Sequence, residues 1–475
     1  MNSVPKQKTT RQHQTIKIHQ PDPDKADRFN PRNSIYVRAV DGVWTRLRRK
    51  MGWVAMLFFL LLPWLSWHNR QAVWFNLVEQ KFHIGGLVIW PQDLTLLAAV
   101  FMIAAFGLFF ITTYLGRVWC GYTCPQTVWT FIFIWVEEKI EGARNKRIKL
   151  DQMPWDSNKV IRKSSKHILW LLISLLTSLT FVSYFVPAKQ LYLDFFSLNA
   201  SGAVYFWVCF FTLATYGNAG WMREIMCIHM CPYARFQSSM FDRNTYIVGY
   251  DTVRGETRGP RSRKADPAQL GLGDCIDCDL CVQVCPTGID IRNGLQYECI
   301  NCGACIDACD QTMTRMGYQN GLISYTTENR LAGKTESVLR PKLLGYGAVL
   351  VVMMLLLIYA MGHIAPLRID IIRDRNQLYR ENIDGLIENT FTLKLLNKTE
   401  VDAQYRLSVT GLPDHQWIGP ESVTVKGGEI FTLPISIAVD PVSLTRAITD
   451  IQFSVTQLAG NQPVTVSQES RFFSR

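Results

Sequence analysis

The chain alternates long uncharged stretches with segments dense in Arg and Lys. Five of the uncharged stretches are long enough to cross a bilayer: Met51 to Trp67, Leu94 to Gly116, Ile168 to Ala188, Ala203 to Trp221 and Leu343 to Leu367. A bilayer core of about 30 Å needs about 20 helical residues. Five such stretches with almost no polar face do not suit the buried helices of a soluble protein, so the pattern predicts five spans. The first begins only at residue 51 and lacks a small-residue cleavage site, which argues against a signal peptide. Residues 1–34 read as a polar, disordered tail, and the cytoplasmic tail as a whole is set at residues 1–40. Residues 126–136 are apolar over too short a distance to span and are expected to form an interfacial or re-entrant helix.

After the fifth span the period shortens to alternation. Strands are expected at Phe391 to Leu396, Tyr405 to Thr410, Ser422 to Val425, Phe431 to Val439, Ile451 to Val455 and Val464 to Ser467. Turn signals such as Gly411-Leu-Pro413, Lys426-Gly-Gly428 and Gly460 to Pro463 separate them. This spacing predicts an all-β, immunoglobulin-like sandwich over residues 370–475. It contains no Cys and no nucleophile paired with a base, so docking is a better reading than catalysis. Asn397-Lys-Thr399 matches a glycosylation triplet of the kind that occurs by chance.

The 475 residues suffice for two or three domains. Charged types make up only 19%, below the roughly 25% usual for soluble domains. Fifty Lys and Arg face 39 Asp and Glu, and the excess sits in particular loops. Arg46, Arg48, Arg49 and Lys50 precede the first span, and nine basic residues from Lys139 to Lys166 separate the second from the third. The opposite loops, 68–93 and 189–202, carry only Arg70, Lys81 and Lys189. The positive-inside rule therefore puts the N-terminus and residues 117–166 and 223–342 in the cytoplasm, and the sandwich outside. This accounts for the basic balance without nucleic acid and makes membrane lipid the partner. The run Arg254 to Lys264 reads as a solvated linker that could also touch anionic lipid.

Thirteen cysteines carry the candidate chemistry, eight of them between Cys275 and Cys309. They form Cys275-x2-Cys278-x2-Cys281-x3-Cys285-Pro286 and Cys299-x2-Cys302-x2-Cys305-x3-Cys309. Both runs resemble those of bacterial two-cluster ferredoxins, in which the fourth thiol of each run crosses to the other cluster. The resemblance implies one 4Fe-4S cluster on Cys275, Cys278, Cys281 and Cys309, and a second on Cys285, Cys299, Cys302 and Cys305, in a ferredoxin-like domain over residues 265–320. Zinc is the bland alternative, but zinc sites seldom use four thiols within eleven residues twice. A reducing cytosol disfavours disulfides. Asp310 stands where such runs often have Pro.

The remaining thiols include an internal repeat. Arg117-Val-Trp-Cys120-x3-Cys124-Pro125 follows the second span, and Arg223-Glu-Ile-Met-Cys227-x3-Cys231-Pro232 follows the fourth, within a transmembrane bundle set at residues 41–250. An old duplication accounts for the match. Cysteines at i and i+4 are expected on one helix face. Two thiolates beside Met226, Met230 and His229 suit Cu(I), although zinc would also accept them, and packed inert cysteines are the alternative. Cys209, alone in mid-span, reads as core. His68, His83 and His363 read as structural residues.

The tail, five spans, paired Cys-x3-Cys-Pro elements, two-cluster domain and outer sandwich together resemble the FixG/CcoG/RdxA family of cytochrome c oxidase accessory proteins. That resemblance implies a protein of the bacterial inner membrane that supports assembly of a cbb3-type oxidase by reducing Cu(II) to Cu(I). In this reading Cys120, Cys124, Cys227 and Cys231 form the copper site, with His229 and Met230 as auxiliary ligands. Partners would be a cytoplasmic electron donor and oxidase subunits or copper chaperones and transporters. A homodimer is compatible with the sequence. Two alternatives stay open: a quinol-linked conduit to an outer reductase, and a non-catalytic assembly scaffold. No Gly-rich nucleotide fingerprint is evident.

Overall fold

The computed structural model describes residues 35–474, except 69, 91, 92, 268, 338, 364, 375, 376, 400, 445 and 459–463. The expected tail over 1–34 and the turn at 460–463 lie outside the described residues. The chain divides into two compact units, Met1–Leu357 and Ile358–Arg475.

The first unit opens with α1 (Val43–Leu61), which ends in a tight turn around Pro63. The short strands β1 (Ser66–Trp67) and β2 (Arg70–Gln71) follow, then a small antiparallel sheet of β3 (Val73–Asn76), β4 (Lys81–Ile84) and β5 (Leu87–Ile89). This sheet was not expected; its His83 is buried and stacks on Trp74 with centroids 5.4 Å apart. Helices α2 (Leu94–Leu115), α3 (Val118–Tyr122), α4 (Pro125–Glu141), α5 (Arg144–Gln152), α6 (Ser157–Val182), α7 (Ala188–Phe196), α8 (Gly202–Tyr216) and α9 (Pro232–Met240) come next.

Among the described residues, three helices are long and apolar enough to cross a membrane: α2, α6 and the last helix of the series, Pro341–Gly362. The other two expected spans look different. Near residues 51–67, α1 starts eight residues earlier than expected, takes in Arg46, Arg48, Arg49 and Lys50, and stops at Leu61. Near residues 203–221, α8 has 15 residues and runs on into a π-helical segment, Gly217–Met222. The expected interfacial helix at 126–136 forms as α4, buried through Phe133 and Val136 against Trp170 of α6. Its polar end is held by buried ion pairs: Glu137 with Arg147 and Arg223 at 2.9 and 2.6 Å, and Glu141 with Lys163 and Lys166, both at 3.0 Å.

The tail boundary at residue 40 moves to an earlier position. Val37 is buried, and the Arg38 N–H donates to the Gln283 carbonyl at 2.8 Å. Backbone polar groups in the interior are nearly always paired, and this segment finds its partners both in the cysteine-rich domain and in Arg144 and Arg147 of α5, which donate to the Tyr36 and Val37 carbonyls. Cys209 departs from expectation too: it is exposed on α8. That helix is apolar all round, so composition alone could not tell its protein face from its open face.

The cysteine-rich domain is framed by β6 (Ile247–Tyr250), α10 (Thr252–Gly255), α11 (Leu280–Gln283), α12 (Ala304–Met316), β7 (Ile323–Thr326) and α13 (Glu328–Leu331), with β6 and β7 antiparallel. The chain then enters α14 (Pro341–Gly362). Arg254 and Arg261 belong to this frame rather than to a linker. Arg254 pairs with Asp274 at 2.5 Å, and the Arg261 Nε donates to the Tyr318 hydroxyl at 3.0 Å.

The second unit is a sandwich. One sheet has the order β12 (His415–Ile418), β14 (Ile430–Val439), β10 (Ile387–Asn397), β8 (Leu367–Arg373), with β9 (Arg380–Glu381) beside β10. The other runs β13 (Ser422–Val425), β11 (Ala403–Thr410), β15 (Ile448–Gln457), β16 (Thr465–Phe473). Alternation does the work: along β11 every second residue is buried. Phe391, Leu393 and Leu395 of β10 meet Tyr405, Leu407, Phe453 and Val455 in the core. Asn397 explains the glycosylation triplet differently. It is fully buried, and its Nδ2 donates to the carbonyls of Val401, Val425 and Lys426 at 2.9, 3.2 and 3.3 Å.

Candidate functional site

Folding of the cysteine-rich domain creates two cavities. The outer one is lined by Cys275, Cys278, Cys281 and Cys309, together with Tyr250 and Arg292 among others. The inner one is lined by Cys281, Cys285, Cys299, Cys302 and Cys305, with Val248, Ile289 and Ile300. Two helix starts aim the thiols: Asp279 before α11 and Gly303 before α12 both adopt left-handed backbone, so each Cys-x2-Cys-x2-Cys run turns sharply into its helix. Cys278 is exposed, whereas Cys275, Cys281, Cys299 and Cys302 are buried. α12 continues six residues past Asp310, whose carboxylate accepts from the Gly321 N–H at 2.8 Å. A Pro at 310 would interrupt that helix.

Burial pushes the thiols of Cys281, Cys299 and Cys309 up to about 12. Uncompensated thiolates are therefore unfavourable here, and a bound cationic group would have to hold them in that form. Among the described residues, no three His, Cys, Asp or Glu side chains converge on one ion-sized point. A single zinc would require ligands about 2.3 Å from such a point. Four thiols around the outer cavity and five around the inner one fit a polynuclear iron–sulfur group better.

The second functional feature is a quartet of thiols beside the inner cavity. Cys120 lies on α3 and packs in one apolar cluster with Ile300, Cys302 and Cys305. Cys124 and Cys227 act electrostatically on Cys120, and Cys124 and Cys231 on Cys227, so the four boundary cysteines are neighbours, although no three of them converge on one ion-sized point. Burial pushes Cys120 up to about 12 and Cys227 up to about 11. The expected geometry within each pair is corrected. Cys120 and Cys124 do not share a helix, because Cys124 is the residue before α4 and has extended ψ of 126°. Cys231 likewise precedes α9 with ψ of 112°, after a π-helical turn over Met226–Met230. Pro125 and Pro232 drive this, since a residue before Pro is pushed out of the helical region.

The repeats meet by exchange. The helix after the first motif, α4, packs on the end of the second hairpin: Gln126 Nε2 donates to the Asn218 and Arg223 carbonyls at 2.8 and 3.3 Å. The helix after the second motif, α9, packs on the end of the first. There the Tyr233 and Thr112 hydroxyls bond, Arg117 donates to the Ala234 carbonyl at 2.9 Å, and the Cys120 thiol stands 3.7 Å from Gln237 Oε1. Arg117 also donates to the carbonyls of Tyr297 and Cys299, joining α3, α9 and the ligand run. His229 and Met230 are exposed, whereas the four boundary thiols are half-buried.

Sequence reasoning missed three supports. Asp307, between Cys305 and Cys309, accepts from the N–H groups of Trp44 and Thr45 at 3.2 and 2.7 Å and caps α1. Tyr325 bonds Tyr122 at 3.0 Å and also donates to the Asn301 carbonyl. Arg292 grips three aspartates. A capping carboxylate within a ligand run has no sequence signal when its helix lies 260 residues away.

Comparison with known proteins adds to this geometry. Family profiles match a 4Fe-4S binding domain at residues 97–141, a 4Fe-4S dicluster domain at 222–328, and the IG-like fold at the C-terminus of FixG at 357–475. Nitrogen fixation protein FixG of Rhizobium meliloti is 35% identical over 422 residues, covering 81% of this chain and 80% of that protein. Protein RdxB of Cereibacter sphaeroides is 39% identical over 408 residues, covering 83% and 85%. The chain belongs to the FixG/RdxA family. Protein RdxA of the same organism agrees at 39% over 404 residues. A FixG-related protein from Vibrio parahaemolyticus, solved by crystallography, is 43% identical over 23% of this chain and 97% of its own, with a TM-score of 0.22. The 4Fe-4S domains support electron transfer, and the first match falls on the segment that holds Cys120 and Cys124.

Proposed function

We propose that this protein is an electron-transfer protein of the bacterial inner membrane that reduces Cu(II) to Cu(I) in support of cbb3-type oxidase assembly. The packing of Cys120 against the buried cluster that contains Cys302 carries the reading. Cys275, Cys278, Cys281 and Cys309 would hold one 4Fe-4S cluster in the outer cavity, and Cys285, Cys299, Cys302 and Cys305 a second in the inner. When bound, such groups supply one-electron oxidation and reduction.

The chain's own residues do the rest. Exposed Cys278 offers the approach for a soluble cytoplasmic donor. Apolar neighbours such as Val248, Ile289 and Ile300 keep water from the inner cavity. The Cys120, Cys124, Cys227 and Cys231 thiols bind the substrate copper ion; each ion takes up one electron, and soft sulfur ligands favour the Cu(I) product. Release to a chaperone or transporter would follow. The positive-inside pattern supports a cytoplasmic cysteine-rich domain and a periplasmic sandwich.

The test is anaerobic stopped-flow mixing of reduced protein with Cu(II). Wild type should reoxidise with one Cu(I) formed per electron, and a variant with Ser at all four boundary cysteines should lose this reaction while keeping its iron. Equal rates in both would overturn the copper site. A second reading is favoured by the 4Fe-4S binding match at 97–141: the quartet holds a further iron–sulfur centre, and electrons pass onward without copper. In that case the Ser variant loses iron and wild type oxidises quinol.

A further inference from the structure

The two cavities are unequal in charge. No charged residue lines the inner one. Arg292 and Asp279 line the outer one. The Arg292 side chain is only 8% exposed although it carries a permanent charge. It reaches three carboxylates: Asp277 and Asp279 at 2.6 Å each and Asp290 at 2.7 Å, with its Nε donating again to Asp290 at 2.8 Å. Asp277 and Asp279 flank the ligand Cys278, and both have positive φ, 54° and 56°. Left-handed backbone is costly for residues other than Gly and persists where surrounding contacts fix it. Arg292 supplies those contacts. Its own backbone is fixed by the short helical turn Ile291–Asn293, which Asp290 caps.

We propose that Arg292 is a positioning residue for the outer iron–sulfur site, which holds the Asp277-Cys278-Asp279 loop in place and raises the potential of that site. The physical cause is Coulombic. Reduction adds negative charge among thiolates, and a nearby fixed cation in a water-poor setting favours the added electron. The three aspartates act in the opposite direction, and two of them are substantially exposed, at 43% and 58%, where solvent screens them. The inner site has its own buried cation, Arg117 on the Cys299 carbonyl, so the effect of Arg292 is confined to the outer step. This rests on the two-cluster assignment but not on copper.

The test is a redox titration of the full-length, anaerobically purified protein, monitored by paramagnetic resonance, with iron and sulfide content measured on each sample. In R292Q one of the two steps should fall so that the reduced-to-oxidised ratio at fixed ambient potential drops about tenfold, 59 mV for one electron. The other step should stay. R292K, which keeps the charge, should shift it less than threefold. D279N removes an opposing charge and should raise the same step. If R292Q fails to retain its iron, the sign of the D279N shift decides. Unchanged potentials in fully loaded R292Q and D279N, or equal shifts of both steps, overturn the inference. Wild-type protein lacking eight irons would instead defeat the cluster assignment itself.

Discussion

Gly121 lies so close to Ile300 that a Cβ at position 121 would stand 2.6 Å from the Ile300 carbonyl oxygen and 3.1 Å from the Cα of Cys302. The backbone of α3 thus touches the ligand run directly. Gly121→Ala should force the two apart and destabilise the protein by about 1–3 kcal/mol, the usual cost of overpacking. The rate of electron transfer to Cu(II) should fall while iron content is kept. A thermal melt and the stopped-flow assay check this, and an unchanged rate would show that the contact is dispensable.

Arg117 should be intolerant even of Lys. Its guanidinium serves carbonyls of Tyr297, Cys299 and Ala234 and lies 4.7 Å from the Tyr297 ring centroid. One ammonium cannot reproduce that fork. Arg117→Lys should cost about 1.5–3 kcal/mol, the worth of a charge-assisted bond, read as a lower unfolding midpoint.

Asn397→Ala should destabilise the sandwich by about 1–3 kcal/mol, because the buried Val425 carbonyl and those of Val401 and Lys426 lose the donor they share. The same contacts predict that no glycan attaches at Asn397 in a glycosylating host. An intact mass with one added glycan would contradict this.

Copper loading should depend steeply on pH. Burial raises Cys120 to about 12 and Cys227 to about 11, so both are protonated in the unloaded protein between pH 7 and 9. Binding as thiolates releases both protons, so affinity rises with pH, by about 100-fold per unit for two protons. The gain levels off only as pH passes the raised values. Competition with a chromophoric Cu(I) chelator at pH 7 and 8 measures the slope, and a flat response would mean that these thiols are not ligands.

Asp307→Ala should cost about 1 kcal/mol, the typical loss of a helix cap, and loosen α1 from α12. Hydrogen exchange at Trp44 and Thr45 reads it directly.

What was legible in the sequence followed from local rules. Alternation located the six expected sandwich strands, and the thiol spacing pointed to residues that the fold gathers around two cavities. What was hidden depended on contacts far apart in the chain. β8 and β12 lack a turn-bounded apolar alternation strong enough to stand out, and they form because β10 and β14 provide edges to pair with. The i, i+4 argument for the thiol pairs failed because Pro125 and Pro232 act on the residue before them. Hydropathy marked α8 as apolar but was silent on which side Cys209 takes.

The exchange of helices between the repeats has a consequence for descent. Gln126 belongs to the first motif but docks on the second, and Tyr233 does the reverse. Neither half, taken alone, holds more than two of the four sulfurs or a complete seat for its own trailing helix. A single-copy ancestor could have assembled the same sulfur set only as two identical chains, each lending one pair across a symmetry axis. Gene fusion would then have made a once concentration-dependent assembly permanent.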